Sequence, residues 1–235
     1  MRRSLRKTDD SDHVVCDVVV RDVVVWDWPT RLFHWLTVVL VFAAYATWRM
    51  NRMDWHAWIG EALLALVLFR VLWGFFGSET ARFSTFVTAP SAALHYLAHT
   101  FRRGPDRQVG HNPAGGWMVL LLLALLLGET LTGLYVANDV ADDGPLSAWM
   151  RAPIANLITN LHAYFWNALL AAVIVHALAI LLYAAVKRQD LLTPMVTGRK
   201  TLPQAATQPR LAGAARAAVL FGVSVLAAAA LANYL

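Results

Sequence analysis

Two histidines in a long apolar stretch are the residues of this sequence best placed to do chemistry. His162 and His176 lie within residues 161–186, which are otherwise almost entirely apolar, and they are fourteen residues apart. In an α-helix this spacing is about 21 Å along the axis and roughly 40° short of four full turns, so both imidazoles leave one face near opposite ends. Polar side chains at membrane depth are costly and usually functional, and imidazole is a common axial ligand of haem iron. The spacing therefore predicts one helix that ligates two haems.

We expect two further histidines to supply a second ligand for each iron. His34 lies in the first turn of one predicted span and His56 in the first turn of the next, so they lie toward opposite membrane faces. Matching the depths pairs His34 with His176 on the cytoplasmic side and His56 with His162 on the periplasmic side. The alternative is that His34 or His56 simply sits at the lipid headgroups, but this leaves the apolar surroundings of His176 unexplained.

The composition is that of an integral membrane protein. Of 235 residues, 58% are hydrophobic and 15% are charged, whereas charged residues are about 25% of soluble domains. Apolar runs of about 20 residues recur along the chain. We expect an all-α fold, a four-helix transmembrane bundle that binds two haems, with a fifth transmembrane helix at the C-terminus. The predicted spans are residues 32–48, 55–76, 114–137, 161–186 and 211–235.

The spans and the segments between them divide the chain into four parts. These are a cytoplasmic N-terminal arm over 1–25, the di-haem cytochrome domain over 26–190, a basic cytoplasmic linker over 191–210 and the fifth helix over 211–235. The Val-rich end of the arm predicts a short strand or an extended segment. Residues 83–101 predict an amphipathic surface helix broken at Pro90, and residues 146–160 a second interfacial helix.

The basic residues indicate the orientation. The N-terminal segment through Arg31, the second loop and residues 187–210 after the fourth span hold fifteen Lys and Arg residues, against three in the other two loops. Positive charge accumulates on the cytoplasmic side, so we expect a multi-pass protein of the bacterial inner membrane with a cytoplasmic N-terminus. The same pattern accounts for the net charge of +5, so nucleic-acid binding is not needed to explain it. Cys16 is the only cysteine, which excludes an internal disulfide and covalent haem attachment, so any haem is of the non-covalent b type.

Three arginines could neutralise haem propionates. Arg70 lies on the cytoplasmic half of the second span, and Arg82 and Arg31 lie toward the same side. The alternative for Arg70 is that its long side chain reaches the membrane surface. Both interpretations stay open at this point.

Other ionisable residues have less definite roles. Glu61 and Glu129 lie in predicted spans and are either proton-handling groups or structural polar residues. His95 and His99 are four apart on the surface helix and are expected to face solvent rather than a metal, and His13 lies in the N-terminal tail. His111 is expected to be a cap or loop residue, with a quinone site as the alternative.

Several stretches resemble the bacterial di-haem cytochrome b561 family, which is related to the cytochrome b subunits of nickel–iron hydrogenase and formate dehydrogenase. The histidine placement and the Trp- and Gly-rich segments carry the resemblance. The stretches are VWDWPTRLFHW (25–35), MDWHAWIG (53–60), FRVLWGFFGSETARF (69–83), GHNPAGGWM (110–118) and PMVTGRK (194–200), together with His162 and His176. The resemblance implies a four-helix bundle with two b haems, ligated by His34, His56, His162 and His176. The fifth span departs from the shortest family members.

The resemblance also implies quinone-linked electron transfer. The expected function is electron transfer across the membrane through two b-type haems. It links quinone or quinol in the bilayer to a periplasmic c-type cytochrome or redox enzyme. A homo-oligomer is the other expected kind of assembly. One alternative is a stand-alone oxidoreductase that oxidises superoxide and reduces quinone, although the outer loops are mildly acidic. A haem-free membrane anchor is the other alternative, and it leaves His176 unexplained.

Overall fold

The computed structural model describes residues 20–99, 109–137, 144–147, 151–203 and 207–234. Five helices in these ranges are long and apolar enough to cross a membrane, which confirms the expected all-α integral membrane fold. Three shorter α-helices, a 3-10 helical turn (Glu79–Ala81), a π-helical turn (Tyr183–Lys187) and two short strands complete the described elements. The long helices are α1 (Trp28–Arg49), α2 (Met53–Phe76), α5 (Pro113–Gly133), α6 (Ala152–Leu182) and α8 (Ala214–Tyr234); the short ones are α3 (Phe83–Phe86), α4 (Pro90–Ala98) and α7 (Leu192–Thr197).

Large apolar side chains cover the outer surface of the long helices. Phe42, Tyr164 and Leu226 are each at least 70% exposed, and many Leu and Val residues of α6 and α8 are half exposed. A contiguous apolar surface of this extent is unfavourable in water. In a membrane the same surface is in contact with lipid tails, which are equally apolar.

The helix α2 lies at the centre of the packing. Residues 63–67 are all buried, as are Phe69 and Trp73. The helices α1, α5 and α8 each pack along α2, and α6 packs along α5. The ring of Tyr45 on α1 stacks on that of Trp166 on α6, with 5.4 Å between centroids. Thus α1, α2, α5 and α6 form a four-helix bundle, and α8 lies outside it against α2.

Small side chains bring α8 close to α2. Ala217, Ser224, Ala228 and Ala232 are its buried residues within the described range. Ala217 packs in one cluster with Phe69 and Trp73 of α2, whereas Ala228 and Ala232 pack with the Leu64 region. Small residues at an interface let two backbones approach closely, which favours helix association in lipid.

Asp27 fixes the start of α1 to α2. One oxygen of its carboxylate accepts a hydrogen bond from the Thr30 backbone N–H at 2.8 Å, and the other accepts from the Trp73 indole N–H at 2.9 Å. The first bond caps the helix, and Pro29 suits the first turn. Because Asp27 is buried, these two bonds hold the N-terminal end of α1, and with it His34, against the C-terminal half of α2.

The described end of the N-terminal arm is a strand that pairs with the segment after α6. Strand β1 (Val20–Val24) runs antiparallel to β2 (Arg199–Pro203). The Val25 and Trp26 backbone N–H groups both donate to Gly198 O, and Gly198 has φ +81°, which favours glycine. A short strand is therefore correct for residues 20–24. Residues 191–210, predicted as a linker, contain both α7 and β2; residues 1–19, with His13 and Cys16, lie outside the described ranges.

The fourth span begins earlier than predicted. Helix α6 starts at Ala152, with Pro153 in its first turn, rather than at residue 161. The expected separate helix over 146–160 is wrong, because residues 152–160 are the first part of α6 and Leu146 lies in a short turn. Polar side chains lower the hydropathy here, but the Thr159 hydroxyl donates to Ala155 O and leaves the helix unbroken.

The surface segment after α2 is broken as predicted. Helix α4 begins at Pro90, after the short helix α3. Proline restricts the residue before it and lacks an N–H group, so it starts a helix more readily than it continues one. The predicted end of this segment, residues 100–101, lies outside the described ranges.

Candidate functional site

A cavity of about 690 Å³ lies inside the four-helix bundle, at the end where α1 finishes and α2 begins. Side chains from all four bundle helices line it. A volume between about 300 and 1,000 Å³ is typical of sites for small molecules and cofactors. The polar residues in its wall are Tyr45, Asp54, His56, Glu61, Glu129, Thr130, Thr159, His162 and Asn167.

His56 and His162 face each other across this cavity. Their ring centroids are 6.5 Å apart and the ring planes are perpendicular. Imidazole nitrogens bind metal ions at about 2.0–2.1 Å, so this separation leaves room for one metal ion between the rings. His56 and His162 thus lie at the same level of the bundle, as their predicted depths indicate. His162 lies well inside α6 and not in its first turn.

Backbone carbonyls orient both rings. The His56 Nδ1 lies 2.9 Å from Ala44 O of α1, and the His162 Nδ1 lies 3.0 Å from Glu129 O of α5. A carbonyl can only accept, so in each ring Nδ1 carries the proton and donates it. The lone pair of each neutral imidazole is then on Nε2 and free for a metal. Such bonds fix both the tautomer and the ring orientation of a ligand histidine.

Two carboxyl groups share the cavity with these histidines. Glu129 Oε1 lies 3.4 Å from His162 Nε2, and its other oxygen is buried without a hydrogen-bond partner among the described residues. Glu61 lines the same cavity from α2. The two glutamates are thus neighbours of one site, which the sequence did not indicate.

Two glycines control the shape of the site. Gly60 lines the cavity one turn after His56, and a Cβ added there meets no atom within 4 Å. At Gly128 on α5, in contrast, a Cβ would lie 2.5 Å from the Phe165 ring of α6. Glycine at 128 therefore lets α5 and α6 pack closely, whereas glycine at 60 leaves open space beside a histidine.

His34 and His176 lie at the opposite end of the bundle. They are close enough for charges on the two rings to interact. The His34 Nδ1 is buried and has no hydrogen-bond partner in the described ranges, and its ring meets Trp35 edge-on. The structure therefore places the rings of His56 and His162 opposite each other, and it places His34 and His176 within electrostatic range of each other at the other end. Haem ligation by either pair stays a prediction.

His111 lies beside this second pair. Its ring packs between those of Trp26, at 4.5 Å, and Phe86, at 4.7 Å. Burial, and then the nearby charges of Arg70 and His176, lower the pKa of His111 to about 3, so the ring is neutral at physiological pH. It is a loop residue; the adjacent Asn112 is the helix cap, because its side chain accepts from the Gly115 N–H.

The three arginines that the sequence suggests as partners of haem propionates each donate a hydrogen bond to a backbone carbonyl of the protein. Arg70 is 3% exposed, and it donates to Ala81 O at 3.2 Å and lies near the Asp27 carboxylate. Arg82 donates to Gly77 O, and Arg31 to Val196 O. Arg70 does not extend to the surface as a snorkelling side chain would. Propionate binding by Arg70 and Arg82 stays a prediction.

A polar network at the same end was missed by sequence reasoning. Asn112 donates to the Tyr183 hydroxyl at 3.1 Å, and Tyr183 donates to the Tyr96 hydroxyl at 2.8 Å. Lys187 donates to the same Tyr96 oxygen. These residues come from α4, the loop before α5 and the π-helical turn Tyr183–Lys187 that ends α6, and no local motif links them. Beside them, the rings of His95 and His99 lie 4.3 Å apart.

Comparison with known proteins agrees with this arrangement. A family model described as prokaryotic cytochrome b561 matches residues 25–198. The probable Ni/Fe-hydrogenase B-type cytochrome subunit of Rhizobium leguminosarum bv. viciae is 26% identical over 214 residues, with 77% of this chain and 89% of that protein covered. No solved structure matches the chain.

The helices and the matched family define a membrane cytochrome of the b type. The chain belongs to the prokaryotic cytochrome b561 family. It is a multi-pass membrane protein of a family that transfers electrons across the membrane through b-type haem.

The cavity fits a haem. Its volume of about 690 Å³, the opposed rings of His56 and His162 and the open space at Gly60 together suit a flat macrocycle that carries its own metal. His56 and His162 would hold such a group through their Nε2 atoms, because both Nδ1 atoms donate to backbone carbonyls. A bound haem supplies one-electron redox chemistry at this position.

Filling the open space at Gly60 tests this fit. We expect Gly60→Leu to purify with a lower haem-to-protein ratio than the wild type, because the leucine side chain would occupy the cavity. The control is Gly222→Leu on α8, where an added Cβ also meets nothing within 4 Å but which lies outside the cavity. Haem is quantified by the pyridine haemochrome spectrum. Equal haem content in Gly60→Leu and the wild type would contradict the placement.

Proposed function

We propose that this chain carries electrons across the membrane through two b-type haems. His56 and His162 hold one, and His34 and His176 hold the other. The observation that carries the proposal is the pair of opposed rings at His56 and His162, 6.5 Å apart, with both Nδ1 atoms anchored. The fourteen-residue spacing from His162 to His176 separates the two sites by about 21 Å along α6.

The protein's own part is to fix the ligands and exclude water. The Ala44 and Glu129 carbonyls hold the imidazoles of one site, and the Asp27 contacts hold the helix that carries His34. The buried face of α2 closes one wall of the bundle. Within this frame, ligand type, burial and hydrogen bonding set the potential of each site.

The orientation follows from the charge distribution. With fifteen Lys and Arg residues in the segments on one side and three on the other, the N-terminus is cytoplasmic in the proposed topology. The chain then lies in the bacterial inner membrane, with the His56–His162 site toward the periplasm and the His34–His176 site toward the cytoplasm.

The proposed electron partners lie in the bilayer and outside it. The similar R. leguminosarum protein is named as a cytochrome subunit of a Ni/Fe-hydrogenase, which supports a redox enzyme as the partner at the periplasmic end. A periplasmic c-type cytochrome is the alternative partner in the proposal. Quinone, a carrier soluble in the bilayer, is the proposed second partner. Electron transfer across the membrane requires a donor at one end of the path and an acceptor at the other.

Removal of one ligand tests the pairing. Wild-type protein should contain two b-type haems per chain, and His176→Ala should keep about half of that haem, because the His56–His162 site does not use the missing ring. The control is His95→Ala, which removes an exposed histidine of α4 and should retain both haems. If His176→Ala kept both haems, or lost both while folded, the assignment of ligands would be wrong.

The electron partner is tested by anaerobic mixing. Quinol should reduce the haems of the wild-type protein faster than superoxide does at the same concentration, as followed in the visible absorption band. Faster reduction by superoxide would instead favour a stand-alone oxidoreductase. No reduction by quinol would remove quinone from the proposal.

The single cysteine gives a direct test of topology. We expect Cys16 to react with a membrane-impermeant maleimide in inverted vesicles and not in intact spheroplasts, because the N-terminus is proposed to be cytoplasmic. Met50→Cys in a Cys16→Ala background should give the opposite result, since Met50 is 68% exposed between α1 and α2. Labelling of Cys16 in intact spheroplasts would reverse the topology.

A further inference from the structure

The two candidate haem sites differ in the hydrogen bonds that their histidines make. At the His56–His162 site, the Nδ1 of each ring has a backbone carbonyl acceptor. At the other site, the Nδ1 of His34 is buried and has no partner within the described part of the chain. This difference does not follow from the histidine spacing, which treats the two sites alike.

Thr132 adds a further acceptor at one of these rings. Its hydroxyl lies 2.7 Å from Gly128 O, one turn earlier on α5, and 3.1 Å from His162 Nδ1. If the hydroxyl proton is donated to Gly128 O, the closest acceptor, a lone pair of the oxygen points to the Nδ1 proton of His162. The Nδ1–H of His162 is therefore shared between Thr132 Oγ1 and Glu129 O.

Hydrogen bonding at Nδ1 changes the ligand strength of an imidazole. When Nδ1–H donates to an acceptor, more electron density remains on the ring, and Nε2 becomes a stronger donor to a metal. A stronger donor stabilises ferric iron relative to ferrous iron, which lowers the reduction potential of a haem. A buried Nδ1 without an acceptor leaves the ring a weaker donor and the potential higher.

We propose that Thr132 is a positioning residue for His162, and that the Nδ1 acceptors at His56 and His162 hold that site at a lower reduction potential than the His34–His176 site. This inference rests on the proposed function, since it requires two haems ligated by these pairs. With haem bound at both sites, one electron would pass from the lower-potential haem, which would be oxidised, to the higher-potential haem, which would be reduced, and the histidines would keep their protons.

The first measurement assigns the potentials. The wild-type protein is titrated potentiometrically while the haem absorbance is followed, and His176→Ala, which keeps only the His56–His162 haem, is titrated in the same way. We expect two midpoints in the wild type and one in the variant, close to the lower of the two. A single midpoint close to the higher wild-type value would overturn the proposed order.

The second measurement tests Thr132. In Thr132→Val the lower midpoint should rise, with a roughly three- to tenfold change in the reduction equilibrium, which is at most about 59 mV for one electron; the Glu129 carbonyl remains as an acceptor. Thr132→Ser, which keeps the hydroxyl, should restore the wild-type value. Ser224→Ala is the matched control, because it removes a hydroxyl of the same kind, bonded to Leu220 O, from α8 outside the cavity.

The outcomes separate this inference from the function on which it rests. Two haems with midpoints that Thr132→Val leaves unchanged would overturn the role of Thr132 while the proposed function stands. A shift of the higher midpoint instead of the lower would overturn the assignment of Thr132 to the lower-potential site. A wild type with one haem per chain would overturn the proposed function and this inference together.

Discussion

The hydrogen bonds from histidine Nδ1 to helix carbonyls are the interactions on which the rest of the site depends. An imidazole in a membrane has two nitrogens, and an unsatisfied polar atom there costs several kcal/mol. Ala44 O and Glu129 O each accept from a histidine of a neighbouring helix. The bonds satisfy one nitrogen, fix the tautomer and turn the other nitrogen toward the cavity.

These bonds also tie the bundle together. His56 on α2 is bonded to α1, and His162 on α6 is bonded to α5. The ring pair then connects the two halves across the cavity, and the Tyr45–Trp166 stack connects α1 to α6. The site is consequently built from all four helices, and a shift of any one helix would move a ligand or its acceptor. The outer helix α8 supports α2 from behind without reaching the cavity.

Much of this architecture could be predicted from the sequence, because the membrane imposes simple rules. Length and apolarity located the five spans, and the helical period placed His162 and His176 on one face. Depth then paired them with His56 and His34. These inferences need only local periodicity and topology, which the sequence contains directly.

Other parts depend on tertiary contacts that no local pattern encodes. The acceptors of the histidines are backbone carbonyls, and any residue type could supply them. Strand β1 pairs with a segment 175 or more residues later in the chain, Val24 with Arg199 being the closest pair. Hydropathy alone predicts too late a start for α6, because Asn156, Thr159 and Asn160 are polar although they continue the helix. No pattern in the sequence shows that Asp27 lies near Arg70, because Asp27 caps α1 whereas Arg70 is on α2, and the two meet only in the folded bundle.

The central claim is that each histidine pair holds one iron, and diffraction at the iron absorption edge tests it most directly. Crystals of the purified, haem-loaded protein should give two anomalous peaks per chain, one between His56 and His162 and one between His34 and His176. A single peak per chain, or a peak ligated by any other pair of residues, would contradict the account.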